Sequence, residues 1–393
     1  MSGAKKRLEY IIKHNVGFQY LYKKCISLIL RMAGRVMKTD QQLILFNSFG
    51  GRKYNDSPRV LFEAMVRDPR FRGYRFVWAF EEPKKFHIEH AECIRIDSAT
   101  YFRTALKAKV WISSVNIERG LHFKKKGTIY INTWHGAGTK KIGNACNGRK
   151  DYDFSAVDLM LVQSNFEREI FLRDFLCNPQ AIRRIGFPRN DELFSLTDER
   201  KSELRARFHI PKNRKVVLYA PTWRDSRDGG MTYEFAPPIH IDRWRTELSG
   251  EYVLLFRMHT FTTKFEMTYD DFAVDVSGYE NLNEILAITD VLVTDYSTIV
   301  YDAAIAGIPF ICFGFDYDTY REERGFYYDL RQVYPGGVLS TEDEVIRRIR
   351  QVANGTDKEQ YRCFRDEYIE AGGSATEQIL SELADRLNIK EQA

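Results

Sequence analysis

A chain of 393 residues with 44% hydrophobic and 29% charged content is long enough for two packed domains and too apolar for extended disorder. Its six cysteines (Cys25, Cys93, Cys146, Cys177, Cys312, Cys363) form no Cys-x-x-Cys pair, so neither a zinc site nor a disulfide framework is indicated and reduced thiols fit best. The formal charge of +5 hides an asymmetry: residues 1–38 carry nine cations against the single acid Glu9, a local +8, which leaves −3 for the remainder.

Residues 1–40 read as a basic amphipathic segment in which cations such as Lys13, Lys23, Lys24, Arg31 and Arg35 alternate with Tyr10, Ile11, Phe18, Leu21, Ile29 and Met32. That mixture suits an anionic membrane surface. The other readings are a helix packed on the protein's own body and a nucleic-acid arm. No RNA-binding signature follows, so no nucleic-acid partner is expected. The N-terminus lacks the apolar core and small-residue cleavage site of a signal peptide. The longest apolar run, Ala303–Phe315, is interrupted by Gly and Pro and is too short to span a bilayer. The expectation is a peripheral protein on the cytoplasmic face of the cell membrane.

Beyond that segment, short apolar strands alternate with helical stretches. Strands are predicted near 42–49, 74–80, 93–96, 110–113, 128–134 and 159–163, then near 216–220, 252–257, 273–276, 291–294 and 309–313. Fully apolar strands separated by helices imply parallel sheets covered on both faces. A charged stretch from Asp191 to Lys215 divides the two series. The fold class is therefore α/β, with two Rossmann-like domains, 41–195 and 196–393, facing a cleft. In such sheets ligands bind at the carboxyl ends of the strands.

Polar residues at those ends are the site candidates. The first strand runs into Gly50 and Gly51, a turn that either faces a ligand or simply connects strand to helix. His135 ends another strand and is a candidate general base. Gly136 and Gly138 after it allow close backbone approach, and Lys140 and Lys141 supply positive charge. In the second series Arg224, Arg257 and His259 close two strands and would neutralise a diphosphate. Val291–Thr294 runs into Ser297 and Thr298 at a helix start, the shape of a phosphate site, although a plain N-cap reads equally well. Asp302, alone on an otherwise apolar helix, is either a ribose ligand or a buried hydrogen-bonded acid. His87 and His90 lack a third ligand, so no metal site and no cofactor are expected.

Taken together, the segments Ser48–Pro58, Asn132–Gly143, Leu161–Glu169, Gly186–Asp191, Leu218–Arg224, Arg257–His259 and Val276–Asp329 resemble those of the CDP-glycerol glycerophosphotransferase family, which builds teichoic acids and related phosphopolyol polymers. The resemblance implies a GT-B fold that binds CDP-alditol mainly in the second domain and admits a lipid-linked acceptor to the first. It implies His135 as the base, Arg224, His259, Ser297 and Thr298 around the diphosphate, and Asp295 and Asp302 near the nucleoside. Many relatives carry Thr-Pro-Leu after the His-Gly pair, where this chain has Ala137-Gly138-Thr139. The expected activity is transfer of glycerol phosphate from CDP-glycerol to a hydroxyl of a polyprenyl-diphosphate-linked acceptor with release of CMP, with a primase or short-chain role favoured by the compact length. The readings beside it are a CDP-ribitol-dependent transferase or capsule polymerase, a sugar-nucleotide glycosyltransferase, and a non-catalytic nucleotide- or lipid-binding module. Expected partners are CDP-glycerol, the lipid-linked saccharide and the membrane surface, with a homo-oligomer allowed.

Overall fold

The computed structural model describes residues 16–136, 138–146, 148–222, 238–258 and 271–389. Seven parallel strands form the first sheet: β1 (Asp40–Asn47), β2 (Arg75–Phe80), β3 (Ala91–Arg95), β4 (Ala108–Ser113), β5 (Ile129–Asn132), β6 (Leu159–Val162) and β7 (Ile182–Arg184), in the order β3-β2-β1-β4-β5-β6-β7. Six parallel strands form the second: β8 (Lys215–Tyr219), β9 (Tyr252–Phe256), β10 (Ala273–Asp275), β11 (Val291–Thr294), β12 (Phe310–Phe313) and β13 (Val338–Leu339), in the order β10-β9-β8-β11-β12-β13. Register is fixed by strands buried on both faces, such as Leu43–Phe46 in β1 against Ala108–Ser113 in β4. Strand order reverses between β1 and β4 and between β8 and β11, which opens a crevice at each of those points.

The edge strands β7 and β13 were not expected from the sequence. Each is three residues or fewer, and β7 reads Ile-Arg-Arg, so neither carries an apolar period. A second difference concerns the domain boundary at 393. Helix Ala375–Arg386 returns to the first domain, where Ile379, Leu380 and Leu383 join the core beneath β1 and β2. Glu382 receives two hydrogen bonds of 2.7 Å from Arg183 on β7. The Asp191 carboxylate accepts from the backbone N–H groups of Ala375 and Thr376 at the start of this helix, at 2.9 and 2.8 Å. The terminal helix thus belongs to the first domain.

Helix Val16–Val36 covers the same domain. Ile26, Leu30 and Ala33 pack inward, while Tyr20, Leu21, Leu28, Ile29, Met32 and Val36 remain exposed together with Lys24, Arg31 and Arg35. No described helix is long and apolar enough to cross a membrane.

A clamp joins the domains. Lys140 forms an antiparallel bridge with Phe326, flanked by Lys141 N–H to the Gly325 carbonyl (3.1 Å) and Tyr327 N–H to the Thr139 carbonyl (3.1 Å). Arg189 forms the second tie, donating to Asp56 in the first domain (3.1 Å) and Asp302 in the second (3.1 Å). All three side chains are largely buried, so removing one partner would leave an uncompensated charge.

Candidate active site

The segments after β1, β5 and β7 meet those after β8, β9, β10 and β11 around a cleft of about 770 Å³. His135 stands on its first-domain wall. Trp134, just before it, has φ 50°, a conformation that bulky residues rarely adopt, and its N–H is held by the Asn132 side chain at 2.9 Å. This turn presents the imidazole to the Ser114 carbonyl, 2.7 Å from Nδ1. A carbonyl only accepts, so Nδ1 carries the proton and Nε2 keeps a lone pair. The Ser114 hydroxyl accepts from Phe49 N–H at 3.1 Å, and the Phe49 and Trp134 rings lie 5.2 and 4.3 Å from the imidazole. Burial lowers the His135 pKa; the Ser114 bond and Asp56 oppose that shift, and Arg189 adds to it. The ring is therefore a neutral, oriented proton acceptor.

Two cations face each other across the cleft. Lys53, on the turn after β1, has its pKa lowered by burial and then by Arg257, with Glu280 opposing. Arg257, at the end of β9, is depressed by burial, and its Nη1 donates to the Val276 (3.0 Å) and Tyr279 (2.6 Å) carbonyls. Neither has an ion-pair partner among the described residues. Desolvated cations that repel one another gain from an anion placed between them. Ser297, Thr298 and Lys140 line the same cleft. The N-cap of helix Ile299–Ile305 is Thr298, whose side chain makes no cap bond; Ser297, one residue ahead of it, accepts from Ile299 N–H at 3.3 Å through Oγ while lining the cleft.

Other expected site residues have different surroundings. Gly50 and Gly51, at φ 67° and 90°, make the turn that carries Phe49 and Lys53; a Cβ on Gly51 would fall 2.9 Å from the Glu81 backbone nitrogen. They serve the chain rather than line the cleft. Gly136 admits the second domain: a Cβ there would lie 2.8 Å from Thr298 Oγ1. Lys141 belongs to the clamp and lies outside the cleft lining. Of the Ala137-Gly138-Thr139 departure, Ala137 lies outside the described residues, while Thr139 is buried and a Cβ on Gly138 would fall 2.5 Å from Ile170 and 3.0 Å from Tyr327 of the second domain. Asp295 accepts from the N–H groups of Thr222 (2.7 Å) and Tyr296 (2.6 Å), fastening the ends of β8 and β11 from beneath the cleft. Asp302 borders the cleft, but its Oδ1 already accepts from Asn190 (2.7 Å) and Arg189. These are the surroundings of a buried hydrogen-bonded acid at the edge of the cleft. Arg224 and His259 lie outside the described residues.

Sequence reasoning missed Lys53, Ser114 and Arg189. Lys53 was signalled by Gly-Gly-Arg-Lys at a strand end and Arg189 by Phe-Pro-Arg-Asn before a helix. Ser114 acts through its backbone carbonyl, which leaves no signal in residue type.

The profile of the CDP-glycerol:poly(glycerophosphate) glycerophosphotransferase family matches residues 29–384. The chain belongs to this family. It is an enzyme family of teichoic acid biosynthesis, and cell-wall polymer transferases are among its curated relatives. The teichoic acid poly(glycerol phosphate) polymerase of Staphylococcus epidermidis is 30% identical over 371 residues, covering 89% of this chain and 51% of its own length. The Bacillus spizizenii protein of the same name is 28% identical over 390 residues, covering 93% of this chain and 98% of its own. The chain thus spans about half of the first relative and nearly all of the second. The solved wall teichoic acid polymerase TagF superposes with a TM-score of 0.80 at 28% identity, over 92% of this chain and 94% of that one. The two parallel sheets are a TagF-like GT-B arrangement.

Proposed function

We propose that the chain transfers glycerol phosphate from CDP-glycerol to an acceptor hydroxyl and releases CMP. The observation that carries this reading is a buried, neutral His135, oriented through Nδ1, on the wall of a cleft that also holds the Lys53 and Arg257 pair. A base without an anion cradle would suit hydrolysis of neutral substrates, and a cradle without a base would suit binding alone.

In the proposed reaction His135 Nε2 accepts the proton of the acceptor hydroxyl. The oxygen attacks the phosphorus that bears glycerol, and the bond from that phosphorus to the bridging oxygen breaks. CMP leaves with the bridging oxygen and its electron pair. Lys53 and Arg257 neutralise charge on the diphosphate as it separates, a contribution of about 2.7–4 kcal/mol per well-placed donor. Arg224 and His259 are assigned to the same diphosphate by family resemblance, and Ser297 and Thr298 complete the second-domain wall. The acceptor proposed is a polyprenyl-diphosphate-linked saccharide or its phosphopolyol extension, reached from the membrane surface on which the exposed apolar and basic face of helix Val16–Val36 would rest.

Compact length does not favour a primase, because the B. spizizenii protein named a polymerase is covered over 98% of its length by this chain. Support from relatives named as polymerases favours successive additions. CMP release measured in parallel with CDP-glycerol and CDP-ribitol, on a lipid-linked disaccharide acceptor, tests the donor. Turnover with CDP-glycerol at least tenfold faster is expected; the reverse preference would reassign the donor, and release of a nucleoside diphosphate would reject phosphoryl transfer.

A further inference from the structure

His135 borders a second cavity, of about 620 Å³, whose other walls come from the first domain except for Arg324. Lys23, one of its lining residues, belongs to helix Val16–Val36, whose outer face is apolar and exposed. Four cations line it, Lys23, Arg119, Arg149 and Arg324, against two acids, Asp97 and Asp151, so its walls carry a net +2. The acids hold two of the cations in place. Arg119 donates to both oxygens of Asp97 at 2.9 Å, and Arg149 to those of Asp151 at 3.2 and 3.3 Å, with its guanidinium 4.7 Å above the Tyr152 ring. Lys23 adds its field at Asp151, which helps to keep that carboxyl below its usual range behind the effects of Arg149. The floor is aromatic, with Trp134 and Phe154 5.9 Å apart edge to face.

We infer that this cavity is the acceptor subsite, and that it takes the phosphate ester of a hydroxyl-ended chain. The inference rests on the proposed transfer reaction and deepens it. A two-substrate transfer needs both substrates within reach of one base, and among the described residues His135 and Arg324 line both cavities. Fixed guanidinium groups suit phosphate oxygens, while ring faces suit the carbon skeleton of a polyol or sugar. The bound phosphate lies toward Lys23 and Arg149, and the terminal hydroxyl points to His135. A chain held this way by its last phosphate can be extended without release of its lipid end. The shared chemistry is a phosphate ester, supplied either by a terminal glycerol phosphate unit or by the lipid diphosphate itself.

The test compares wild type, Arg149→Gln, Lys23→Gln and the charge-conserving Arg149→Lys on two acceptors, a lipid-linked disaccharide with and without one terminal glycerol phosphate. Loss of one charge-assisted contact predicts an acceptor KM raised about tenfold or more in the Gln variants, with donor KM within twofold and partial recovery in Arg149→Lys. A loss confined to the glycerol phosphate-bearing acceptor identifies the terminal unit as the bound ester; an equal loss on both identifies the lipid diphosphate. Unchanged acceptor KM, or a rise in donor KM instead, overturns the subsite. Calorimetric titration of each protein with CDP-glycerol keeps the two readings separate. Donor binding with unmoved acceptor KM rejects only the subsite, whereas wild type that neither binds CDP-glycerol nor releases CMP rejects the transfer reaction.

Discussion

The Ser114 carbonyl decides which nitrogen of His135 keeps a free lone pair, and burial extends the neutral form to lower pH. Because the pKa is lowered, the neutral base persists below the ordinary imidazole value of about 6.5, and activity falls only as pH drops through the lowered value. The acid limb of kcat/KM is therefore expected below pH 6.5, and a limb above 7 would show that a partner holds the ring protonated. The stability link has the same sign. The unfolded chain takes up a proton near 6.5 that the folded site resists, so His135 costs stability as pH falls through that window and nothing above it. His135 itself was legible in the sequence because an apolar strand runs directly into it. Its orienting partner was not, since a carbonyl twenty-one residues away has no residue-type signature.

Between elements, the decisive feature is how closely the loop after β5 approaches the start of helix Ile299–Ile305. Gly136 sits where a methyl group would collide with Thr298 Oγ1. Gly136→Ala is expected to destabilise the domain contact by about 1–3 kcal/mol, and Thr298→Ala in the same chain should restore most of it by removing the colliding oxygen. Urea unfolding of both variants checks this, and additive losses would rule out the contact as the cause. Sequence patterning found this turn and the strands on either side of it because their apolar runs are complete. It gave the glycine a ligand as neighbour, where the fold supplies another domain. Short edge strands such as Ile182–Arg184 owe their pairing to β6 rather than to any period of their own. The return of helix Ala375–Arg386 to the first domain was equally hidden, because an amphipathic face does not name the core it covers.

For the whole molecule, two sheets contribute opposite walls to one cleft, and the ties between them are polar and buried. Arg189 joins Asp56 to Asp302 across that boundary and also donates to the His135 carbonyl at 3.0 Å, so the tie between the domains and the placement of His135 share one side chain. Helix Val16–Val36, the cationic cavity and His135 follow one another along the first domain, and the Lys53 and Arg257 pair stands across the seam. The central claim is that His135 acts as the base in glycerol phosphate transfer and not as a donor ligand. Its most direct test is His135→Asn, with CMP release and CDP-glycerol affinity measured on the same preparation. Loss of about 10²–10⁴-fold in CMP release, with affinity for CDP-glycerol within about threefold of wild type, is the predicted result. Retained turnover, or affinity lost in proportion to rate, would contradict it.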